Sequence, residues 1–135
     1  MDCIFCKIIS GEIKTKIIKE TLRSIAFLDA FPLAKGHTLV IPKNHHAKIQ
    51  DMPKEENSDL FSLVHDVIPK VDSLTGATLV AVHNGEEAGQ EIPHVHVHIV
   101  PRESSDSAGA IHSMFDSTCK VTDSEFDEIY KKLVG

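Results

Sequence analysis

The segment His94-Val95-His96-Val97-His98-Ile99-Val100 restricts this chain more than any other feature. Strict alternation of imidazole and apolar residues is the period-two pattern of a β-strand, whose successive side chains point to opposite faces. Read as a strand, it sets three imidazoles on one face and Val95, Val97 and Ile99 on the other. Neighbouring rings then lie about 6.6 Å apart, twice the ~3.3 Å rise per residue, so one small group can engage two of them. A packing role alone would demand partners for both nitrogens of every buried ring. A strand whose other face is β-branched is usually covered on at least part of both sides, which disfavours an idle, exposed row of rings.

The rest of the chain supplies the parts. Ile17, Ile18, Ile25 and Phe27 mark a hairpin over 16–20 and 24–28, and Gly36-His37-Thr38-Leu39-Val40-Ile41-Pro42 is a short apolar run bounded by Gly and Pro. Ala77–Val82 and Val95–Val100 complete about five strands, the last two separated by the irregular loop Asn84-Gly85-Glu86-Glu87-Ala88-Gly89-Gln90. Between them Leu60, Val64, Val67, Val71 and Leu74 recur at helical spacing, which predicts a long amphipathic helix. It starts near Pro53 with Glu55 and Glu56 at its positive end, runs to about Leu74 with a kink before Pro69, and stops at Gly76. Short terminal helices are expected over 1–10 and after Thr122-Asp123-Ser124-Glu125, a capping-box pattern. The fold class is therefore α+β, in a single domain over residues 1–135, the size of an ordinary compact domain.

Composition narrows the partners. Fourteen Lys and Arg against twenty Asp and Glu give a net charge of -6, so no broad basic face awaits a nucleic-acid polymer. No apolar run approaches the roughly 18 residues of a membrane span, and Met1-Asp2-Cys3 does not open a signal peptide, so a cytoplasmic location is expected. Three cysteines, Cys3, Cys6 and Cys119, make no even disulfide framework and fit reduced thiols or a metal site.

Two chemistries compete for the histidine column. Neutral imidazoles bind transition ions; an imidazole can also attack phosphorus while its neighbours orient it and donate to phosphoryl oxygens. The preceding loop favours the second, because Asn84, Gly85, Gly89 and Gln90 offer backbone N–H groups and amide donors suited to a phosphate.

The 94–100 segment resembles the His-x-His-x-His-x-x motif, with apolar x, of the histidine triad (HIT) family of nucleotide hydrolases and transferases. Leu28-Asp29, Gly36 to Lys43 and Gly89-Gln90 follow the family's order, and Cys3-Ile4-Phe5-Cys6-Lys7-Ile8-Ile9 looks like its opening segment. The similarity covers about 3–102 and leaves 103–135 as a C-terminal extension. It implies that His96 is the nucleophile that becomes nucleotidylated, that His98 contacts the phosphate, and that His94 and His37 buttress the ring. It also implies that Asp29 accepts from ribose hydroxyls, that Phe5, Ile8, Phe27, Ala30 and Leu39 wall a purine pocket, and that Asn84, Gly89 and Gln90 lie beside the phosphate. His98, where the family's uridylyltransferase branch has glutamine, favours hydrolysis.

The implied reaction is hydrolysis of purine nucleoside phosphoramidates or related monophosphate esters, with no cofactor for catalysis and AMP- or GMP-like ligands. A dinucleoside polyphosphate hydrolase and an AMP-binding signalling module are the alternatives. Two subunits of the family join sheets edge to edge as a homodimer. Glu91 departs from the serine of animal phosphoramidases, in a loop about one residue shorter than theirs, so its carboxylate either points away or serves the leaving group. Cys3-x-x-Cys6 is by itself a weak signal; in zinc-containing relatives the set is completed by residues matching His45 and His94, which makes zinc structural and removes His94 as a free base. His46, His65, His83, His112 and Cys119 receive no role.

Overall fold

The computed structural model describes residues 2–135, which form two compact units that divide between Ser104 and Ser105. In the first, α1 (Ile4–Ile9), the hairpin β1 (Ile17–Glu20) and β2 (Ser24–Leu28), and β3 (Thr38–Pro42) precede the long helix α2 (Lys54–Asp72). β4 (Thr78–Val82) and β5 (Val97–Pro101) follow. The sheet is antiparallel throughout, in the order β1-β2-β3-β5-β4. The expected α+β architecture of five strands, one long helix and short terminal helices is thus present.

Alternation along the strands divides the interior in two. Ala26, Val40, Val97 and Ile99 face α2 and pack with Leu60, Leu63, Val64, Val67 and Val71. Ile25, Phe27, Leu39 and Ile41 face the other way, under Cys3 and Phe5 of the α1 region. Each fully buried Leu or Val in the α2 layer contributes about 1.5–3 kcal/mol of transfer free energy. The register pairs Leu39 with His98 on β3 and β5, so the histidine face looks toward α1 rather than α2.

Several boundaries differ from the sequence reading. Only His98 lies within a ladder strand: His94 N–H bonds Ile92 O at 2.8 Å and Val95 N–H bonds His46 O at 2.8 Å, so the backbone before Val97 is tied to the 46 region instead of β3. Pro53 is the cap residue before α2, one position earlier than first-turn geometry requires. The helix runs unbroken past Pro69 and ends at Asp72 rather than Leu74. Gly76, at φ +93°, donates to Asp72 O at 2.7 Å and closes that end in a conformation that favours glycine. α1 occupies part of the expected 1–10 span, whose residue 1 lies outside the described residues. In the second unit α3 (Asp123–Val134) carries the expected reciprocal cap: Glu125 N–H donates to Thr122 Oγ1 at 3.2 Å and Thr122 N–H to Glu125 Oε1 at 3.0 Å.

Candidate active site and metal centre

The histidine segment serves two different places. His94, fully buried, turns Nδ1 toward two thiols: Cys3 Sγ lies at 3.4 Å and Cys6 Sγ at 3.7 Å, while Cys6 Sγ is 3.4 Å from His45 Nδ1. The four donor atoms lie within 4.8 Å of one another. A tetrahedral zinc with Zn–S of about 2.3 Å and Zn–N of about 2.0–2.1 Å has S–N edges near 3.5 Å, so the donor set fits that ion. The second nitrogen of His94 supports the fit: Nε2–H donates to Pro42 O at 2.8 Å, which leaves the lone pair on Nδ1, facing the sulfurs. Burial, with help from the neighbouring His45, His96 and His46, lowers His94 to about 4 and keeps it neutral. Burial and the adjacent Cys3 push the Cys6 thiol up, a penalty that a cation between the sulfurs would relieve.

On the other side of the segment lies a cleft of about 420 Å³. Its walls include Phe5, Ile8, Phe27, Ala30 and Leu39, and His37, His96, His98, Asp29, His83 and Glu91 supply its polar groups. Phe5 meets the His96 ring edge-on at 5.0 Å and the His94 ring at 5.7 Å, so one aromatic side chain braces both.

The hydrogen bonds determine which nitrogen carries each proton. His96 Nδ1–H donates to His94 O at 2.8 Å, so Nε2 keeps its lone pair. Leu33 N–H donates to His37 Nδ1 at 3.0 Å, so the neutral His37 ring carries its proton on Nε2. That Nε2–H donates to His98 Nδ1 at 3.0 Å, so the neutral His98 ring carries its own proton on Nε2. Burial lowers all three rings, His98 to about 4 with the charges of His96, His37 and His83 adding to the effect. The outcome is a neutral nucleophilic nitrogen beside a fixed N–H donor. The same bonds oppose a metal on the cluster Asp29, His37 and His98, because a ligating His37 Nε2 would first have to lose its proton.

Asp29 completes the polar rim. Its Oδ1 accepts Phe31 N–H at 2.9 Å and its Oδ2 lies 3.7 Å from His37 Nε2, so the carboxylate is held at the cleft wall.

The family model described as "HIT domain" matches residues 10–105. This chain belongs to the HIT family. An uncharacterized HIT-like protein of Methanocaldococcus jannaschii is 39% identical over 98% of this chain and 99% of its own length. The adenosine 5'-monophosphoramidase of Schizosaccharomyces pombe is 42% identical over 78% of each chain. Among solved structures, a HIT family protein of Bacillus subtilis superposes with a TM-score of 0.83 at 30% identity, covering 99% of this chain and 96% of that one. A zinc-bound histidine triad family protein of Mycobacterium smegmatis gives 0.69 at 34% identity over 79% of each chain.

Within this HIT cleft the structure gathers His37, His96 and His98, the apolar residues Phe5, Ile8, Phe27, Ala30 and Leu39, and also Asp29, Gly89 and Glu91. His94 sits behind it, with Cys3, Cys6 and His45. Asn84 and Gln90 have other partners. Asn84 Oδ1 accepts Ile49 N–H at 2.9 Å and its Nδ2 donates to Gln50 Oε1 at 2.9 Å. Gln90 accepts Gly85 N–H at 2.9 Å and donates to Ala47 O at 2.7 Å, so both amides tie the loop before His94 to the 47–50 segment.

The residue that sequence reasoning passed over is His83. It lines the cleft with its ring centroid 5.5 Å from that of His98. A lone histidine in Val82-His83-Asn84 carries no motif; the available signal was its place just after β4, the strand that pairs with β5 and sets Val82 opposite Val97.

Proposed function

We propose that this HIT protein hydrolyses purine nucleoside phosphoramidates, or related nucleoside monophosphate esters, through a nucleotidyl-His96 intermediate. One observation carries the reading: the hydrogen bond from His96 Nδ1 to His94 O leaves an unprotonated Nε2 on a ring that borders an apolar cleft, next to the Nε2–H of His98. The phosphoramidase named among its relatives supports the same substrate class. The base lies among Phe5, Ile8, Phe27, Ala30 and Leu39, and Asp29 accepts from ribose hydroxyls. His96 Nε2 attacks the α-phosphorus, His98 Nε2–H stabilises the charge that develops on a phosphoryl oxygen, and water then releases the nucleotide. Gly89 and Glu91 border the phosphate and leaving-group end, with Asn84 and Gln90 holding the loop that carries them.

Cys3, Cys6, His45 and His94 would hold a structural zinc. When bound, the ion supplies a cross-link between α1 and the segment that carries the nucleophile. Base, ribose, nucleophilic attack and phosphoryl oxygen are each met by a side chain of this chain. The outer edge of β4, with Leu79 40% and Val80 42% exposed, supports a homodimer in which two sheets join at that edge. No helix among the described residues is long and apolar enough to cross a membrane, and paired reduced thiols suit a cytoplasmic location. Residues 1–135 make one HIT domain with a C-terminal extension from 103.

The test is turnover of an adenosine phosphoramidate beside diadenosine tetraphosphate, with intact-mass detection of an adenylylated chain. The phosphoramidate is expected to turn over faster, with the adduct absent from His96→Ala. Preference for the tetraphosphate would transfer the protein to the dinucleoside polyphosphate hydrolases; AMP binding without turnover of either would make it a binding module.

A further inference from the structure

Breaking a P–N bond raises a problem that the neutral histidines cannot solve. An alkylamine departing as an anion is a very poor leaving group, so a proton must reach its nitrogen. His98 cannot release Nε2–H, because its Nδ1 already accepts from His37 Nε2–H, and His37 Nδ1 accepts from the Leu33 amide, which has no proton to give. Passing a proton outward along this chain would leave an imidazolate at its inner end. His96 has its only proton on Nδ1, bonded to His94 O, and its other nitrogen is the nucleophile.

His83 differs from these rings. It is half-buried at the cleft wall, and among the described residues neither of its ring nitrogens has a hydrogen-bond partner. Its position is built into the loop: Gly89, at φ +108°, would bring a Cβ to 3.3 Å from His83 Cδ2, so the glycine serves both the turn and the space for the ring. His96 and His98 face it from the β5 side, Asp29 comes from the end of β2, and Glu91 and Lys14 border the same cleft. An imidazole whose two nitrogens are free of protein partners can carry a proton on each and hand one to a group beside it.

We propose that His83 is a catalytic general acid of this protein, which protonates the departing amine. The proposal rests on the phosphoramidase reading above. As His96 Nε2 forms its bond to phosphorus, the P–N bond breaks and its electron pair stays on nitrogen. The proton of cationic His83 moves to that nitrogen, and a neutral amine leaves. His83 becomes a neutral imidazole and regains its proton from solvent. The positive charge passes to the nucleotidyl-His96 ring, whose Nδ1–H faces the His94 carbonyl.

The experiment compares kcat/KM, which reports nucleotide transfer to His96, for two substrates of the full-length protein. One is an alkylamine phosphoramidate of AMP; the other is the p-nitrophenyl ester of AMP, whose leaving group departs without a proton. General acid catalysis is worth about 10²–10⁴-fold, so His83→Asn is expected to lose about 100-fold or more on the amide and far less on the ester. In the wild type the amide-to-ester ratio should fall as pH rises, and in His83→Asn it should be flat. AMP binding and Tm of the variant show whether it is folded; His83→Gln serves as the second replacement if it is not. Equal losses on both substrates would make His83 a phosphate-binding group and overturn the acid, as would no loss on either. Wild type that fails to cleave the amide would overturn the phosphoramidase reading, and the acid with it.

Discussion

His94 and His98 are four residues apart, both are held near pKa 4 chiefly by burial, and they present opposite groups to their surroundings. His94 Nε2–H donates to the Pro42 carbonyl, and Nδ1 turns its lone pair toward Cys3 and Cys6. His98 accepts the His37 Nε2–H on its Nδ1 and turns its own N–H to the cleft. Residue type and burial are alike; the hydrogen-bond partner on the far nitrogen differs. What a buried imidazole offers to a ligand is decided by the group behind it. A carbonyl behind Nε2 leaves a lone pair on Nδ1 of His94, a carbonyl behind Nδ1 leaves one on Nε2 of His96, and a protonated ring nitrogen behind Nδ1 makes His98 a donor.

The sharpest way to break this contrast is to remove one ring from each region. His96→Ala is expected to reduce turnover by roughly 10⁴–10⁶-fold, the scale seen when a nucleophile is deleted, with Tm and AMP affinity little changed. A variant that keeps even a tenth of wild-type turnover would remove the covalent route. Cys3→Ser with Cys6→Ser should act in the opposite sense, on metal content and stability. Wild type purified in zinc should carry about one ion per chain, lost in the variant. An ion present at 1,000 times its dissociation constant stabilises the fold by about 4 kcal/mol, a shift readable in Tm. Identical melting of the wild type with and without zinc would dissolve the distinction between the regions.

The contrast also marks what could be read in advance. Alternation of His and apolar residues revealed the segment, and helical spacing revealed α2, because both patterns are local. The donor set Cys3, Cys6, His45 and His94 spans the chain, and here the resemblance to a family supplied what spacing could not. The strand boundary was misplaced because Val95 bonds to the His46 carbonyl, a partner that no local pattern announces. The side chains of Asn84 and Gln90 have the chemistry of phosphate ligands, yet their partners are on the 47–50 segment, brought near only by folding. His83 was missed for the same reason: its significance is its distance from His98, and that depends on how β4 pairs with β5.

Acid should erase the contrast, because a protonated imidazole is a donor on both nitrogens. For a histidine whose folded pKa lies below the ordinary 6.5, the unfolded chain binds more protons between the two values, so stability falls as pH falls through that window. Metal-free protein should therefore have a nearly flat Tm above about pH 6.5 and lose stability progressively from there to about pH 4. Turnover should decline in the same direction as His96, also lowered by burial, takes up a proton and loses its nucleophilic lone pair. A Tm that rises between pH 6.5 and 4 would mean that these rings are charged in the folded protein.

The finest test separates the partner from the ring. His37→Phe keeps His98 in place and fills similar volume, but removes the proton donor behind His98 Nδ1 and the acceptor of Leu33 N–H. The orphaned amide should cost about 1–3 kcal/mol of stability. His98 would then divide between its two neutral tautomers, only one of which presents Nε2–H to the cleft, so activity should fall by a few-fold rather than disappear. Because the loss is one of tautomer population, it should fall on kcat for amide and ester substrates alike, and the ratio that reports on the leaving-group proton should stay as in the wild type. If turnover is unaffected while the stability loss appears, His37 supports the loop through Leu33 alone, and the donor role of His98 does not depend on the ring behind it.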